Sequence, residues 1–189
     1  MYVKSELRKH FRQLRKTISD KNKKDFSICK TVLESNFFKN ADQILCYYPL
    51  DNEINTIPII EASLKCGKKT ALPYCTDENG NMEFYYIHSL DDLKTGSYDI
   101  MEPDVDMCEK VTDFNHSLCI VPAFSFDKKG FRLGYGKGYY DRFLKKFTFN
   151  SIGLCYNSFL SDSLPADEHD IAVEYIATED KITLCKEDI

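Results

Sequence analysis

The period of the hydrophobic positions changes along this chain. From Val3 to Ile18 the apolar residues Val3, Leu7, Phe11, Leu14 and Ile18 recur three or four apart, which is one face of an amphipathic helix. Lys4, Arg8, Arg12 and Arg15 or Lys16 form a second, basic stripe on the same helix. Ser19 and Asp20 read as the cap of a second helix, with Phe26, Cys29, Val32 and Leu33 facing inward. Beyond residue 40 the pattern shortens into strand-length runs at 44–49, 69–74, 82–87, 118–126, 151–156 and 172–177. Helical stretches at 57–67, closed by Gly67, and at 139–147 separate some of them, and 77–81 reads as a turn. Strands alternating with helices predict an α/β domain with a mainly parallel central sheet, flanked by helices on both faces in a Rossmann-like three-layer arrangement. An N-terminal helical segment precedes it, and residues 1–189 are expected to form a single domain.

Composition narrows the class. A chain of 189 residues with 43% hydrophobic positions has enough apolar surface for one sizeable core. A net charge of −5 argues against a surface devoted to nucleic acid. The N-terminus has no continuous apolar stretch of the secretory type, and the longest apolar run, 44–50, is too short to span a bilayer. A soluble, cytoplasmic, monomeric protein acting on small molecules is expected. The eight cysteines contain no CxxC pair, so zinc spacing is absent. Cys46, Cys119 and Cys155 sit within apolar runs and are expected as reduced core thiols.

The candidate chemistry is concentrated in FDKKGFRLGYGKGYYDRFL, residues 126–144. Gly130, Gly134, Gly136 and Gly138 are interleaved with Lys128, Lys129, Arg132 and Lys137. Closely spaced glycines let a backbone turn several amides toward one anion, and a helix start just afterwards would add to it. Arg132 offers a planar fork and Lys137 a point charge for phosphate oxygens. The stretch is neither a Walker A loop, because Gly138 follows Lys137, nor a dinucleotide fingerprint. Spacing alone leaves a plain turn and an anion loop equally open. Asp141 is either an Mg²⁺ carboxylate beside phosphate or a first-turn helix acid. Asp167, Glu168, His169 and Asp170 read as a solvated acidic loop. Lys4 and Arg8 lie one helical turn apart, either as a solvated basic face or as a pair able to close on one phosphate.

Read in order, KSELRKHFR, YYPLDNEINT, ALPY, YDIMEP, FDKKGFRLGYGKGYYDRFL and LPADEHDIAVEYIATE resemble the 5-formyltetrahydrofolate cyclo-ligase family over nearly the whole chain. The resemblance implies an ATP- and Mg²⁺-dependent ring closure of 5-formyltetrahydrofolate to 5,10-methenyltetrahydrofolate. It places ATP on Lys4, Arg8, Arg132, Leu133, Gly134, Tyr135, Gly136, Lys137, Gly138, Tyr139 and Tyr140. It places Mg²⁺ on Asp141 and Asp170. It places the folate on Tyr48, Glu53, Tyr98 and the loop from Tyr135 to Tyr139, with Lys137, Arg132 and Tyr139 nearest the chemistry. The chain departs from the family pattern at Tyr98, where some members carry Trp, at Asn55 and at Asp99. Two other readings stand beside this one. The first is a related α/β enzyme acting on a sugar phosphate or CoA ester. The second is a nucleic-acid-binding module using the basic first helix.

Overall fold

The computed structural model describes residues 3–77, 80–96 and 100–185. Three helices come first, α1 Lys4–Arg15, α2 Lys21–Glu34 and α3 Asn36–Asn40. The apolar stripe of α1 faces the core from Leu7 onward, with Phe11 buried and Leu7, Leu14 and Ile18 half-buried, whereas Val3 at its start is exposed. In α2 the inward positions are Ile28, Cys29 and Val32, whereas Phe26, expected inside, is 64% exposed. Asp20 occupies the cap position with φ +55° and gives no side-chain hydrogen bond, so the expected Ser19–Asp20 cap is one of position only.

The main sheet has seven strands among the described residues, in the order β12-β11-β9-β6-β1-β2-β3. They are β1 Gln43–Leu45, β2 Lys69–Cys75, β3 Met82–Ile87, β6 Ser117–Val121, β9 Asn150–Leu154, β11 Tyr175–Ala177 and β12 Ile182–Leu184. The run from β11 to β2 is parallel, and antiparallel β12 and β3 close the two edges. Ile44, Leu45, Leu118, Cys119, Ile120, Val121 and Ile152 are fully buried, as the near-continuous apolar runs of a parallel sheet require. Two smaller sheets flank it. One pairs β4 Leu93–Thr95 with β5 Met101–Pro103; the other orders β10 Leu160–Ser161, β7 Ser125–Asp127 and β8 Arg132–Leu133.

Several boundaries differ from the sequence reading. The 118–126 run is two strands in two sheets, broken at Pro122, which has no N–H to give a ladder. The 44–49 and 172–177 runs are ordered as strands only at Gln43–Leu45 and Tyr175–Ala177. Helices do not follow every strand either. Helix α4, Ile57–Lys65, joins β1 to β2, and α5, Tyr139–Leu144, joins the β7–β8 hairpin to β9. The connections β3 to β6 and β9 to β11 contain no α-helix among the described residues. The chain is thus a mixed α/β fold with a large, mostly parallel sheet and few helices. Cys46, Cys119 and Cys155 are buried free thiols in it. No helix among the described residues is long and apolar enough to cross a membrane.

Candidate active site

Residues 126–144 do not form one long loop. Their first part is a hairpin, β7 to β8, whose turn is organised by Asp127. Its Oδ1 accepts the amides of Lys129 and Phe131, and its Oδ2 accepts the amide of Leu164 at 2.9 Å. Gly130 serves this turn with φ +88°, and Lys128 pairs with exposed Asp162, so neither belongs to an anion cradle. The second part, residues 134–138, is the loop that faces a cleft. Gly136 has φ +99° and Gly138 +72°. Alternate positive-φ residues are the means by which backbone amides converge on an anion. Helix α5 has 6 residues rather than the nine expected, so its dipole adds little.

The cleft has a volume of about 570 Å³ and collects residues distant in sequence. Lys4, Arg8, Tyr48, Glu53, Arg132, Gly134, Tyr135, Gly136, Lys137, Gly138, Tyr139, Tyr140, Asp141 and Asp170 all line it. Of the residues singled out in sequence, Leu133 is buried beside it, and Tyr98 and Asp99 lie outside the described residues.

A ladder of charges ties helix α1, the glycine loop and the C-terminal segment together. Lys4 Nζ reaches Asp167 Oδ2 at 2.6 Å and Asp170 Oδ2 at 2.5 Å. Arg8 Nε donates to the Gly134 carbonyl at 2.8 Å, and its guanidinium lies against Gly136. Lys4 and Arg8 therefore do not close on a common point: Lys4 is held by carboxylates, and Arg8 by the loop. The solvated acidic loop is found at Asp167, Glu168 and His169, which are exposed, but not at Asp170, which is half-buried against Lys4. Burial alone would lower the Lys4 pKa, but its two carboxylates outweigh burial and raise it. Burial alone would raise the Asp170 pKa, but Lys4 and the Asp167 amide bring it below the ordinary carboxylate value.

Arg132 also differs from expectation. Its side chain is 5% exposed; Nη1 donates to the Ile171 carbonyl and Nη2 to Asp141 Oδ1, both at 2.6 Å. The fork is occupied by protein groups, and burial lowers its pKa. What it does is orient Asp141, whose Oδ1 also accepts the Ile171 amide at 3.1 Å. Lys137 is the exposed cation at the rim, with no carboxylate in ion-pair range among the described residues.

The opposite wall is built around Glu53. Its side chain is buried, with the residue 5% exposed. Its Oε2 accepts the Leu50 amide at 3.0 Å while its own amide donates to the Leu50 carbonyl at 2.8 Å. Burial pushes its pKa up, and the Leu50 amide, Tyr135 and Arg15 pull it partly back. Tyr135 packs at a tilt against Phe124 with centroids 4.6 Å apart, and its hydroxyl lies 3.4 Å from Asn52 Oδ1. Thr56, in the same motif, serves the fold by donating to the Tyr47 carbonyl at 2.6 Å. The remaining wall is apolar: Pro73, Cys75, Met82, Ile100 and Pro122. Sequence reasoning missed it, although Cys75 and Met82 are cross-strand partners flanking a predicted turn, which was the available signal. Arg15 and Arg142 were missed too. The latter donates to the carbonyls of Gly80 and Lys137, pinning Gly80 to the glycine loop.

No cluster of three or more His, Cys, Asp or Glu side chains suited to a metal occurs among the described residues. Asp141 and Asp170 each keep one carboxylate oxygen without a hydrogen bond among the described residues. That donor set fits a hard cation that completes its shell with phosphate oxygens and water, and not one caged by protein alone.

The model of the 5-formyltetrahydrofolate cyclo-ligase family matches residues 1–179. The mitochondrial 5-formyltetrahydrofolate cyclo-ligase of Arabidopsis thaliana is 30% identical over 93% of this chain and 72% of its own. The Escherichia coli K12 cyclo-ligase is 30% identical over 75% of this chain and 80% of its own. The solved 5,10-methenyltetrahydrofolate synthetase of Aquifex aeolicus superposes with a TM-score of 0.85 at 30% identity, covering 100% of this chain and 95% of that one. That of Mycoplasma pneumoniae, at 24% identity and a TM-score of 0.74, covers 95% and 100% and shares the fold. The chain belongs to the 5-formyltetrahydrofolate cyclo-ligase family.

Proposed function

We propose that this chain closes the ring of 5-formyltetrahydrofolate with ATP as co-substrate, producing 5,10-methenyltetrahydrofolate, ADP and phosphate. The observation that supports it best is the two-sided cleft: a glycine loop with an exposed lysine on one wall, a buried carboxylate with aromatic and apolar surface on the other. A formyl oxygen is a poor leaving group. Transfer of the γ-phosphoryl group to it gives a good one, N10 then attacks the formyl carbon, the carbon–oxygen bond breaks and the N10 proton is lost. The protein supplies alignment and charge neutralisation rather than a nucleophile.

In this reading the loop Gly134 to Tyr140, Lys137 and Arg8 receive the triphosphate. Leu133 anchors the loop in the core, and Arg132 positions Asp141. Lys4 orients Asp170. Asp141 and Asp170 would hold Mg²⁺, which on binding neutralises phosphate charge. Glu53 accepts hydrogen bonds from the ring nitrogens and amino group of a pterin. Tyr135, Tyr139 and Tyr48 offer aromatic faces beside it. One domain spanning residues 1–189, with helices on both faces of the sheet, belongs to the same proposal, supported by a single contiguous core from Phe11 to Ala177. The cleft is formed within one chain, in keeping with a monomer acting on small molecules.

Oxygen tracing tests the route. With the formyl oxygen labelled as ¹⁸O, the released phosphate should carry the label. Unlabelled phosphate would contradict phosphorylation of that oxygen.

A further inference from the structure

Arg15 is 5% exposed and carries no ion pair among the described residues, an arrangement that costs stability unless the charge is used. It belongs to the basic stripe of α1 by sequence, yet it turns inward. Nη1 donates to the Asn52 carbonyl at 3.0 Å, and Nη2 donates to the Ala123 carbonyl. Its guanidinium carbon lies 4.8 Å from the centre of the Phe124 ring, and Nε is buried with no hydrogen-bond partner. Phe124 also packs against Tyr135. Asn52 is the neighbour of Glu53 and also receives Tyr135.

We propose that Arg15 is a positioning residue for the folate half of the cleft, fixing the Glu53 loop and Tyr135. The inference rests on the assignment of Glu53 to the folate. One guanidinium joins the 50–53 loop to the Pro122–Phe124 segment, and Phe124 transmits its position to Tyr135. This chain of contacts does not touch Lys4, Lys137 or Asp141, and it meets the triphosphate loop only at Tyr135, so its effect falls mainly on the folate side. The charged and titratable groups around Glu53 are Arg15 from α1, Lys21 from α2, Tyr47 after β1, Tyr135 of the glycine loop and Tyr140 of α5. Burial already drives the Glu53 pKa upward, and Arg15 opposes it. Removing the charge raises it further, so Glu53 protonates at a higher pH.

The test compares Arg15→Met, which keeps volume but not charge, with Arg15→Lys, which keeps charge but loses the fork. KM for 5-formyltetrahydrofolate, KM for ATP and the pH profile of kcat/KM for the folate are measured. Arg15→Met should raise the folate KM by about tenfold or more, the scale of a lost charged hydrogen bond, with a clearly smaller rise in the ATP KM. The acidic limb of the profile should move to higher pH. Arg15→Lys should raise the folate KM with the limb unmoved. Equal rises in both KM values, or equal limb shifts in the two variants, overturn the inference. Should Arg15→Met fail to fold, Arg15→Lys decides on its KM split alone. A wild-type protein without cyclisation activity overturns the folate reading and this inference with it. An active wild type with equal losses overturns the role of Arg15 alone.

Discussion

Replacing Gly136 by alanine tests whether the loop geometry is a requirement or an accident. Gly136 sits at φ +99°, beyond the left-handed region that a side chain tolerates. A β-carbon there would lie 3.1 Å from the Arg8 guanidinium carbon and 3.3 Å from both its terminal nitrogens. Backbone strain of this kind costs on the order of 1–3 kcal/mol. The crowding adds to it by pressing on the group whose Nε holds the Gly134 carbonyl. If the loop keeps its form, about 2 kcal/mol of strain lowers the melting temperature by about 4–8 °C in a chain of this size. If the loop leaves its form instead, the same energy appears as an ATP KM raised about thirtyfold. Thermal melting and ATP saturation kinetics on Gly136→Ala read both outcomes. Gly134→Ala is the stability control: no atom lies within 4 Å of a β-carbon there and its φ is ordinary, so its melting should match the parent protein. A Gly136→Ala protein unchanged in both melting and ATP KM would refute the claim that Arg8 and a positive-φ glycine hold this loop.

Three further perturbations address the charges. Lys137→Ala should raise the ATP KM about tenfold or more with the folate KM little changed, because an exposed point charge acts on phosphate. Equal effects on both would contradict separate walls. Asp141→Asn should lower activity in a way partly relieved by raised Mg²⁺, and should also lower the melting temperature because Arg132 loses its buried ion partner; unchanged Mg²⁺ dependence would remove Asp141 from the metal's shell. Asp170 has a depressed pKa in the fold, so its contribution is present above the unfolded carboxylate pKa and is lost as pH falls through the folded one. The melting difference between the parent protein and Asp170→Asn should therefore shrink toward zero in acid; a difference constant with pH would argue against the Lys4–Asp170 pair.

The parts of this molecule legible in sequence were those set by local pattern. The α1 stripe, the buried parallel strands and the glycine loop before a helix follow from spacing and composition. The failures have a common cause, which is dependence on partners far along the chain. Arg132 reads as an open fork, but Ile171 and Asp141 occupy it. Asp170 reads as part of a solvated loop, but Lys4, more than 160 residues earlier, draws it in. Arg15 reads as part of a basic face, but Asn52 and Ala123 bring it inward. Gly130 and Gly136 are alike in sequence context, and only the β7–β8 pairing separates a hairpin turn from a cleft loop. The apolar wall opposite was hidden for the same reason, since Pro73, Pro122 and Ile100 meet only once the sheets are assembled.

The central claim is ATP-dependent ring closure in the cleft between Lys137 and Glu53. The direct measurement mixes the purified protein with 5-formyltetrahydrofolate, ATP and Mg²⁺ and follows the methenyl product by its absorbance, with ATP omitted in a parallel sample. The account predicts product formation that stops without ATP, with ADP released in equal amount. Absence of product with all three present, or product formed equally without ATP, would contradict it.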